Sequence, residues 1–205
     1  MTTESLSAAP ASTDLAPQPG FLSWLRFTLL WLVLAGLLYP LVTTLAAGSL
    51  FPRQANGSLI EQGGRVVGSA LVGQTFTGDT YFIGRPSAAG AGYDPTNASG
   101  SNLAVSNPAL RERVQASAKE IAAREGVPQS RIPVDLLTTS GAGLDPHISP
   151  AGAELQVARV ARVRGLDAAQ VRALVAANTE TGALGLGQPG VNVLRLNLAL
   201  DATGR

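Results

Sequence analysis

Residues 27–50 read FTLLWLVLAGLLYPLVTTLAAGSL and contain no charged side chain. At about 1.5 Å per residue, a helix of this length reaches about 36 Å, enough to cross a hydrocarbon core of about 30 Å. A buried core helix rarely runs this far without charge, and a signal peptide has a shorter apolar core and no leading tail of about 20 residues. We therefore predict one uncleaved transmembrane helix over residues 21–50, with cleavage near the small residues Ala46 and Ala47 as the alternative.

The predicted span carries small residues that suit packing against another membrane helix. Ala35 and Gly36 form one small pair, and Ala46 and Ala47 form another near the C-terminal end. Small side chains let helix backbones approach each other closely in a bilayer. Pro40 has no N–H group and is expected to kink the helix unless a partner satisfies the freed carbonyl. We predict that these five residues form a partner-helix packing surface.

The flanks of the span indicate its surroundings and its orientation. Residues 1–20 are mostly Ser, Thr, Ala and Pro without periodicity, which predicts a disordered tail. Arg26 and Arg53 flank the two ends of the span, so the positive-inside rule is nearly balanced. A long C-terminal domain can be translocated regardless of its charge. We predict a cytoplasmic N-terminus and an extracytoplasmic domain over residues 51–205.

The composition fits a membrane-anchored globular domain and excludes sites that need cysteine. Hydrophobic residues make up 45% and charged residues 14%, as expected for a membrane span joined to an ordinary globular domain. The formal net charge of +1 gives no reason to expect nucleic acid as a partner, since that usually needs a concentrated basic face. The sequence has no cysteine, which excludes disulfides, thiolate metal sites and a cysteine nucleophile.

Three helices are predicted in the C-terminal domain from their end signals. A start is marked by Asn, Ser or Asp at the N-cap, reinforced by Pro at the next position or Gln three residues later. A glycine just past the apolar stripe marks an end. The starts lie at Asn107, Ser149 and Asp167, and the first two helices end at Gly126 and Gly165.

Two further segments of the C-terminal domain have strand patterns. Residues 194–200 (LRLNLAL) place Leu at every second position, the period of a half-buried strand. Residues 65–76 (RVVGSALVGQTF) predict a strand broken by turns, and residues 78–108 predict a long structured loop. Strands mixed with three helices in this order predict a compact α+β domain behind the single span.

His147, the one histidine, is the first candidate for chemistry. It lies in LDPHISP beside Asp145 and Ser149, so a Ser/His/Asp arrangement can be drawn. Residues this close in sequence rarely converge into a triad, which favours a plain turn held by Asp145 and Pro146. The sequence shows no metal-ligand cluster and no Walker-type loop. Residues 182–190 (GALGLGQPG) precede a strand, which favours a tight connection over a phosphate-binding loop.

Four arginines and one glutamine form the second group of candidates. Arg159, Arg162 and Arg164 in the second helix, with Arg172 in the third, could bind an anion, although a solvated face is the preferred interpretation. Gln156 lies on the second helix and is either exposed or in contact with a partner or ligand. We take it as a weak candidate nucleotide contact.

Six motifs in a fixed order carry a family resemblance. They are QANGSL at 54–59, GSALVGQTF at 68–76, YFIGRPSA at 81–88, SGSNLAVSNP at 99–108, SGAGLDPHISPAGA at 140–153 and VNVLRLNLAL at 191–200. Behind one N-terminal span, this order resembles the C subunit of the bacterial Kdp potassium-transporting ATPase over about residues 21–201. The chain departs from the family pattern at residues 98–101, which are less glycine-rich, and at Gly190, where a bulkier residue is usual.

The resemblance implies a non-catalytic subunit in a bacterial inner-membrane complex. Its implied partners are a channel-like potassium-binding subunit, a P-type ATP-hydrolysing subunit and a small membrane peptide. Those partners would carry K⁺ and use ATP, and no cofactor is expected on this chain itself. The implied role is assembly of the complex, together with a chaperone-like increase in ATP affinity. An extracytoplasmic domain cannot touch ATP, which favours assembly; direct ATP binding through Gln156 and a membrane-anchored periplasmic hydrolase using His147 are the alternatives.

Overall fold

The computed structural model describes residues 19–182 and 186–203 of the chain. These residues form two compact units, an N-terminal helical unit that ends at Ala55 and a C-terminal domain that follows it. The tail predicted over residues 1–20 lies almost wholly outside the described residues. We describe each unit by itself.

The N-terminal unit is one long helical run. It consists of α1 (Phe21–Val33), a π-helical turn (Leu34–Leu38), α2 (Tyr39–Leu50) and a short α3 (Pro52–Ala55). The run from Phe21 to Leu50 is 30 residues of mean hydropathy 2.0, long and apolar enough to cross a membrane. It covers the residues for which the sequence predicts a span.

The π-helical turn explains how the helix passes Pro40. Proline has no N–H group, and its ring would clash with the carbonyl four residues earlier, that of Gly36. A π-helical turn bonds residues five apart and so takes up one extra residue. The Tyr39 N–H accordingly donates to the Leu34 carbonyl, five residues back. The chain therefore stays helical through Pro40.

The C-terminal domain is built from helices, short strands and a long irregular segment. Its helices are α4 (Pro108–Glu125), α5 (Pro150–Arg164), α6 (Ala168–Ala177) and α7 (Val193–Thr203), and single 3₁₀ turns lie at Pro95–Asn97, Gln129–Arg131 and Val134–Leu136. Its strands are β1 (Leu59–Gln62), β2 (Arg65–Ser69), β3 (His147–Ile148), β4 (Thr179–Glu180) and β5 (Gly190–Asn192). The α+β class is confirmed.

The three helices predicted from their end signals are confirmed at both ends where an end was predicted. The side chains of Asn107, Ser149 and Asp167 each accept a hydrogen bond from an N–H of the first turn. Gly126 and Gly165 follow α4 and α5 in the left-handed conformation, with φ of 69° and 66°. Glycine adopts this conformation without strain, which is why it stops a helix cleanly.

The strand predicted over residues 194–200 is wrong, because this segment belongs to helix α7. The alternation of leucines coincides with a second pattern of three- and four-residue spacing. Val193, Leu196, Asn197 and Leu200 follow that helical spacing and are all buried. Burial on one helix face therefore decides the conformation, and Leu is also a strong helix former.

The strands form two separate sheets. β1 and β2 make an antiparallel hairpin whose register shifts between Ile60 and Glu61. β5 lies in the middle of the second sheet and pairs antiparallel with both β3 and β4. The sequence pattern predicted β2 and did not reveal its partner β1. The second sheet brings the segment that precedes α5 next to the segment that follows α6.

The core of the domain lies among α4, α5, α6, α7 and the middle strand. Its fully buried large apolar side chains, with relative exposure of 2% or less, are Phe82, Ile148, Val157, Val160, Val171, Val191, Leu196 and Leu200. Each such side chain contributes roughly 1.5–3 kcal/mol when removed from water. One of them, Phe82, comes from the long loop, so the core anchors that loop to the helices.

Candidate functional site

The motif at residues 81–88 enters the core at Phe82, and two side-chain amides bond to its backbone as a neighbouring strand would. Asn197 on α7 accepts from the Phe82 N–H and donates to the Phe82 carbonyl, each at 2.9 Å. Gln156 on α5 accepts from the Ile83 N–H at 2.8 Å and donates to the Ile83 carbonyl at 3.0 Å. We call this pair of side chains the amide clamp. It satisfies four backbone groups that have no sheet partner.

The clamp occupies the hydrogen-bonding groups of Gln156. Its side chain is fully buried, its Nε2 also donates to the Gly152 carbonyl at 3.2 Å, and its Oε1 also accepts from Arg159 at 2.9 Å. A nucleotide could contact Gln156 only after these bonds had broken. The nucleotide contact stays a prediction, and the geometry supports a role in holding residues 81–88.

Arg159 is buried beside the clamp, at 3% relative exposure. Its Nε donates to both carboxylate oxygens of Glu125 at 3.0 Å, and its Nη1 donates to the carbonyls of Asp79 and Tyr81. The side chain of Glu125 is itself inaccessible to water. A buried charge is tolerated when it is paired and hydrogen-bonded, as it is here. The prediction of a solvated face is therefore wrong for Arg159.

The other predicted arginines diverge instead of forming one anion patch. Arg164 lies over the Tyr81 ring, 4.9 Å from its centroid, and pairs with Asp201 at 2.8 Å. Arg172 pairs with an exposed carboxylate on α5, and Arg162 is exposed. Each of the two engaged arginines serves a local contact, so the group offers no shared site for a phosphate.

The loop at residues 140–146 is braced against the motif at 81–88. Arg85 pairs with Asp145 at 2.8 Å, and the Ser87 hydroxyl donates to the Gly143 carbonyl at 2.7 Å. The Tyr93 hydroxyl donates to the Arg85 carbonyl at 2.6 Å. Burial, and then the nearby Asp145 charge, raise the pKa of Tyr93 to about 12, so the phenol stays protonated. The polar side chains of Arg85, Ser87 and Asp145 therefore make contacts within the domain.

Gly143 shows why this loop contains a glycine. Its φ is 70°, in the left-handed region, and a Cβ there would come within 2.7 Å of the backbone nitrogen of Ala89 and the carbonyl oxygen of Ser99. No side chain fits without moving backbone. The close approach of three loops requires glycine at this position.

A cleft of about 280 Å³ opens between the braced loops and α4. Small-molecule sites are usually about 300–1,000 Å³, so this cleft is at the lower limit. Arg85 and Arg124 line it, but Arg85 pairs with Asp145. Arg124 pairs with Glu125 at 3.0 Å and with Glu120, also in the lining, at 3.8 Å. The cleft therefore presents charges that are already neutralised within the domain.

His147 does not form the imagined triad with Ser149. The Ser149 hydroxyl donates to Asp135 at 2.9 Å and caps α5, while the imidazole faces two carboxylates. Its Nδ1 lies 3.6 Å from Asp145 and its Nε2 lies 3.2 Å from Glu180. Asp145 first, with Glu180 adding to it against partial burial, raises the pKa of His147. No nucleophile is among the described contacts of this ring.

The predicted packing residues of the apolar N-terminal helix are exposed in this chain. A Cβ at Gly36 or at Gly48 would meet nothing within 4 Å. A larger side chain at either position is therefore compatible with the chain by itself. Any effect of such a substitution would report on a partner.

One known protein family matches most of the chain. The family model described as KdpC, K⁺-transporting ATPase, c chain, matches residues 21–202, which include both the apolar helix and the C-terminal domain. The chain belongs to the KdpC family. The resemblance drawn from the six sequence motifs is confirmed.

Relatives named potassium-transporting ATPase KdpC subunit align with most of this chain. One from Gemmatimonas aurantiaca is 57% identical over 172 residues, covering 83% of this chain and 86% of the relative. One from Shewanella putrefaciens is 55% identical over 178 residues, covering 86% and 88%. One from Rhodopseudomonas palustris is 49% identical over 199 residues, covering 90% and 96%.

Sequence reasoning missed two of the residues that hold the KdpC-family domain together. The strand pattern at residues 194–200 places Asn197 between the leucines, on the outward side, and no sequence pattern marks Glu125. A usable signal existed for Asn197, since it lies four residues after Val193 and three before Leu200, on one helix face. Glu125 carried no such signal, because its partner Arg159 lies 34 residues away.

Proposed function

We propose that this chain is the membrane-anchored accessory subunit of an ATP-driven potassium import complex. The observation that carries this proposal is the family match, which begins at the first residue of the apolar helix and runs through the domain. The chain is a non-catalytic subunit: the polar side chains of its motifs hold its own loops together. Its contribution is to assemble and stabilise the complex.

The partners follow from the same family. They are a channel-like subunit that binds potassium, a P-type subunit that hydrolyses ATP, and a small membrane peptide. K⁺ and ATP are handled by those partners. Any effect of this chain on ATP affinity is indirect, because a subunit shifts a pump between conformations only through contacts that differ between them.

In the proposed orientation, the N-terminus lies in the cytoplasm and the C-terminal domain lies outside the cytoplasm. We expect the variant Ser130→Cys, whose site is exposed in the 3₁₀ turn after α4, to react with a membrane-impermeant maleimide in intact cells. The chain has no cysteine of its own, so the label reports one position. Labelling only after lysis would place the domain in the cytoplasm and make direct nucleotide contact the leading mechanism.

The π-helical turn supports a packing surface on the anchor. Ala35 and Gly36 precede Ala47 and Gly48 by 12 residues. Three α-helical turns take about 11 residues, and the π-helical turn adds about one. Ala35 and Gly36 therefore lie on one face with Ala47 and Gly48, which moves the C-terminal pair by one residue from the predicted Ala46 and Ala47. Pro40 lies close to this face by the same count. Close approach of a partner helix along this face is what small residues permit.

Gly36→Leu is expected to weaken retention of this chain in the detergent-extracted complex, because the added side chain blocks that approach. The measurement is co-purification with the potassium-binding subunit. Val42→Phe is the matched control, since Val42 is exposed and lies about half a turn from the small face. Equal retention of both variants would count against this packing face.

Direct nucleotide binding is the competing mechanism. Titration of ATP against the full chain in detergent tests it by calorimetry. Heat of binding that disappears in Gln156→Glu, with the fold intact, would favour it over the structural role. Absence of heat at millimolar ATP supports assembly as the function.

A further inference from the structure

His147 lies across the small sheet in a way that links its two outer strands. The ring starts on β3, and its partner Glu180 lies on β4, with β5 between them. A Cβ placed on Gly190 of β5 would come within 3.2–3.4 Å of the His147 Cβ, Cγ and Cδ2 atoms. Gly190 is also the register partner of Glu180. The missing side chain of Gly190 lets the imidazole lie over β5 and reach Glu180.

Positively and negatively charged side chains alternate on both sides of the His147 ring. Arg85 pairs with Asp145, Asp145 faces the ring nitrogen Nδ1, and Glu180 faces Nε2. Arg195 of α7 pairs with the same Glu180. The Tyr93 phenol lies near Arg85 and Asp145 and stays protonated, and β5 contributes uncharged Gly190. The two carboxylates lie on opposite ring nitrogens, so they favour a proton on the ring and cannot share one metal ion with it.

We propose that His147 is a proton-dependent clasp that fastens edge strand β4 to the loop at residues 140–146. When the ring carries two protons, Nε2 donates to Glu180 at 3.2 Å and the charged ring faces Asp145 at 3.6 Å, so β4 is tied across β5 to β3. When the ring is neutral, its positive charge no longer attracts Glu180, and one of its nitrogens has no proton to donate. β4 has only two residues, Thr179 and Glu180, so the contact between Glu180 and His147 is a large part of what holds it.

The direction of the pH dependence follows from the charges. The pKa of His147 is raised above its usual 6.5, chiefly by Asp145 and then by Glu180, against partial burial. A raised folded-state pKa means that the clasp's contribution is complete below about 6.5 and is lost as the pH rises through the folded-state pKa. Burial alone would raise the pKa of Asp145, but its bonds from His147 and Arg85 hold it below its usual value, so this carboxylate stays ionised throughout.

The single histidine makes the test direct. The full chain, purified in detergent without a histidine tag, is labelled with ¹³C at the histidine Cε1, and its one imidazole signal is followed against pH. We expect a midpoint above 6.5 in the wild type. Glu180→Gln should lower the midpoint, Arg195→Gln should raise it, and Gly190→Ala should lower it without changing any charge. Glu154→Gln, which removes an exposed carboxylate paired with Arg172, is the control.

Amide hydrogen exchange tests whether protonation of His147 stabilises strand β4. Protection of β4 is compared with protection of α4 in the same sample, which cancels the intrinsic effect of pH. We expect β4 to lose relative protection as the pH rises in the wild type, and His147→Gln to show low protection at every pH. A midpoint at or below 6.5, midpoints that move in the same direction in all three variants, or β4 protection independent of pH would overturn the clasp.

Discussion

Arg159→Met is expected to lower the free energy of unfolding of the C-terminal domain by about 3–5 kcal/mol, the usual result of removing one partner from a buried ion pair. The substitution leaves the Glu125 carboxylate buried with only Arg124 as a charged partner. It also removes the donor to the carbonyls of Asp79 and Tyr81. Urea unfolding of the full chain in detergent, read by pulse proteolysis, measures the loss.

Arg162→Met is the matched control, because Arg162 lies on the same helix and is exposed. Surface substitutions of this kind usually change stability by about 0.5 kcal/mol or less. The double variant Arg159→Met with Glu125→Leu should recover part of the loss, since it removes the stranded charge as well. If Arg159→Met and Arg162→Met had the same stability, the buried pair would not be a main support of the domain.

The elements that could be predicted from sequence are those whose signal is local. The starts of α4, α5 and α6 depend on the caps Asn107, Ser149 and Asp167, each bonded to an N–H within its own first turn. The helical run at residues 21–50 depends on uninterrupted apolar composition. Each signal lies inside the element it specifies, so no tertiary contact is needed to read it.

The elements that could not be predicted depend on distant partners. Residues 194–200 satisfy a strand period and a helix period at once, and only packing against the core decides between them. β4 and β5 have two and three residues, too few for a periodic pattern. The burial of Arg159 is set by Glu125, 34 residues earlier, so its own neighbourhood gives no sign of it.

The sequence indicated which residues could belong to the candidate site, but it did not indicate how they contact one another. The motifs correctly indicated the family, and the structure shows that several of them meet: 81–88 with 140–153 through Arg85 and Asp145, and 81–88 with 191–200 through Asn197. Side-chain amides that replace a strand partner have no sequence period of their own. Gln156 therefore looked equally suited to solvent, a partner or a ligand.

Gln156→Leu is expected to destabilise the domain by about 2–6 kcal/mol. Leucine has a similar size but cannot bond to the Ile83 N–H or carbonyl, and each buried group left without a partner costs about 1–3 kcal/mol. Asn197→Leu should have an effect of the same kind through Phe82. Glu154→Leu on the exposed side of α5 is the control. Unfolding of the full chain in detergent gives all three values.

The same substitution separates a structural role of Gln156 from a nucleotide contact. If the residue holds the loop, Gln156→Leu and Asn197→Leu should impair the assembled complex in parallel, with both effects recovered at low temperature, where the variants remain folded. If Gln156 contacts ATP, its substitution should raise the KM for ATP of a fully assembled complex, and Asn197→Leu should not. The four bonds that Gln156 makes inside the domain lead us to expect the parallel loss, because a side chain cannot bind a ligand with groups that the fold already uses.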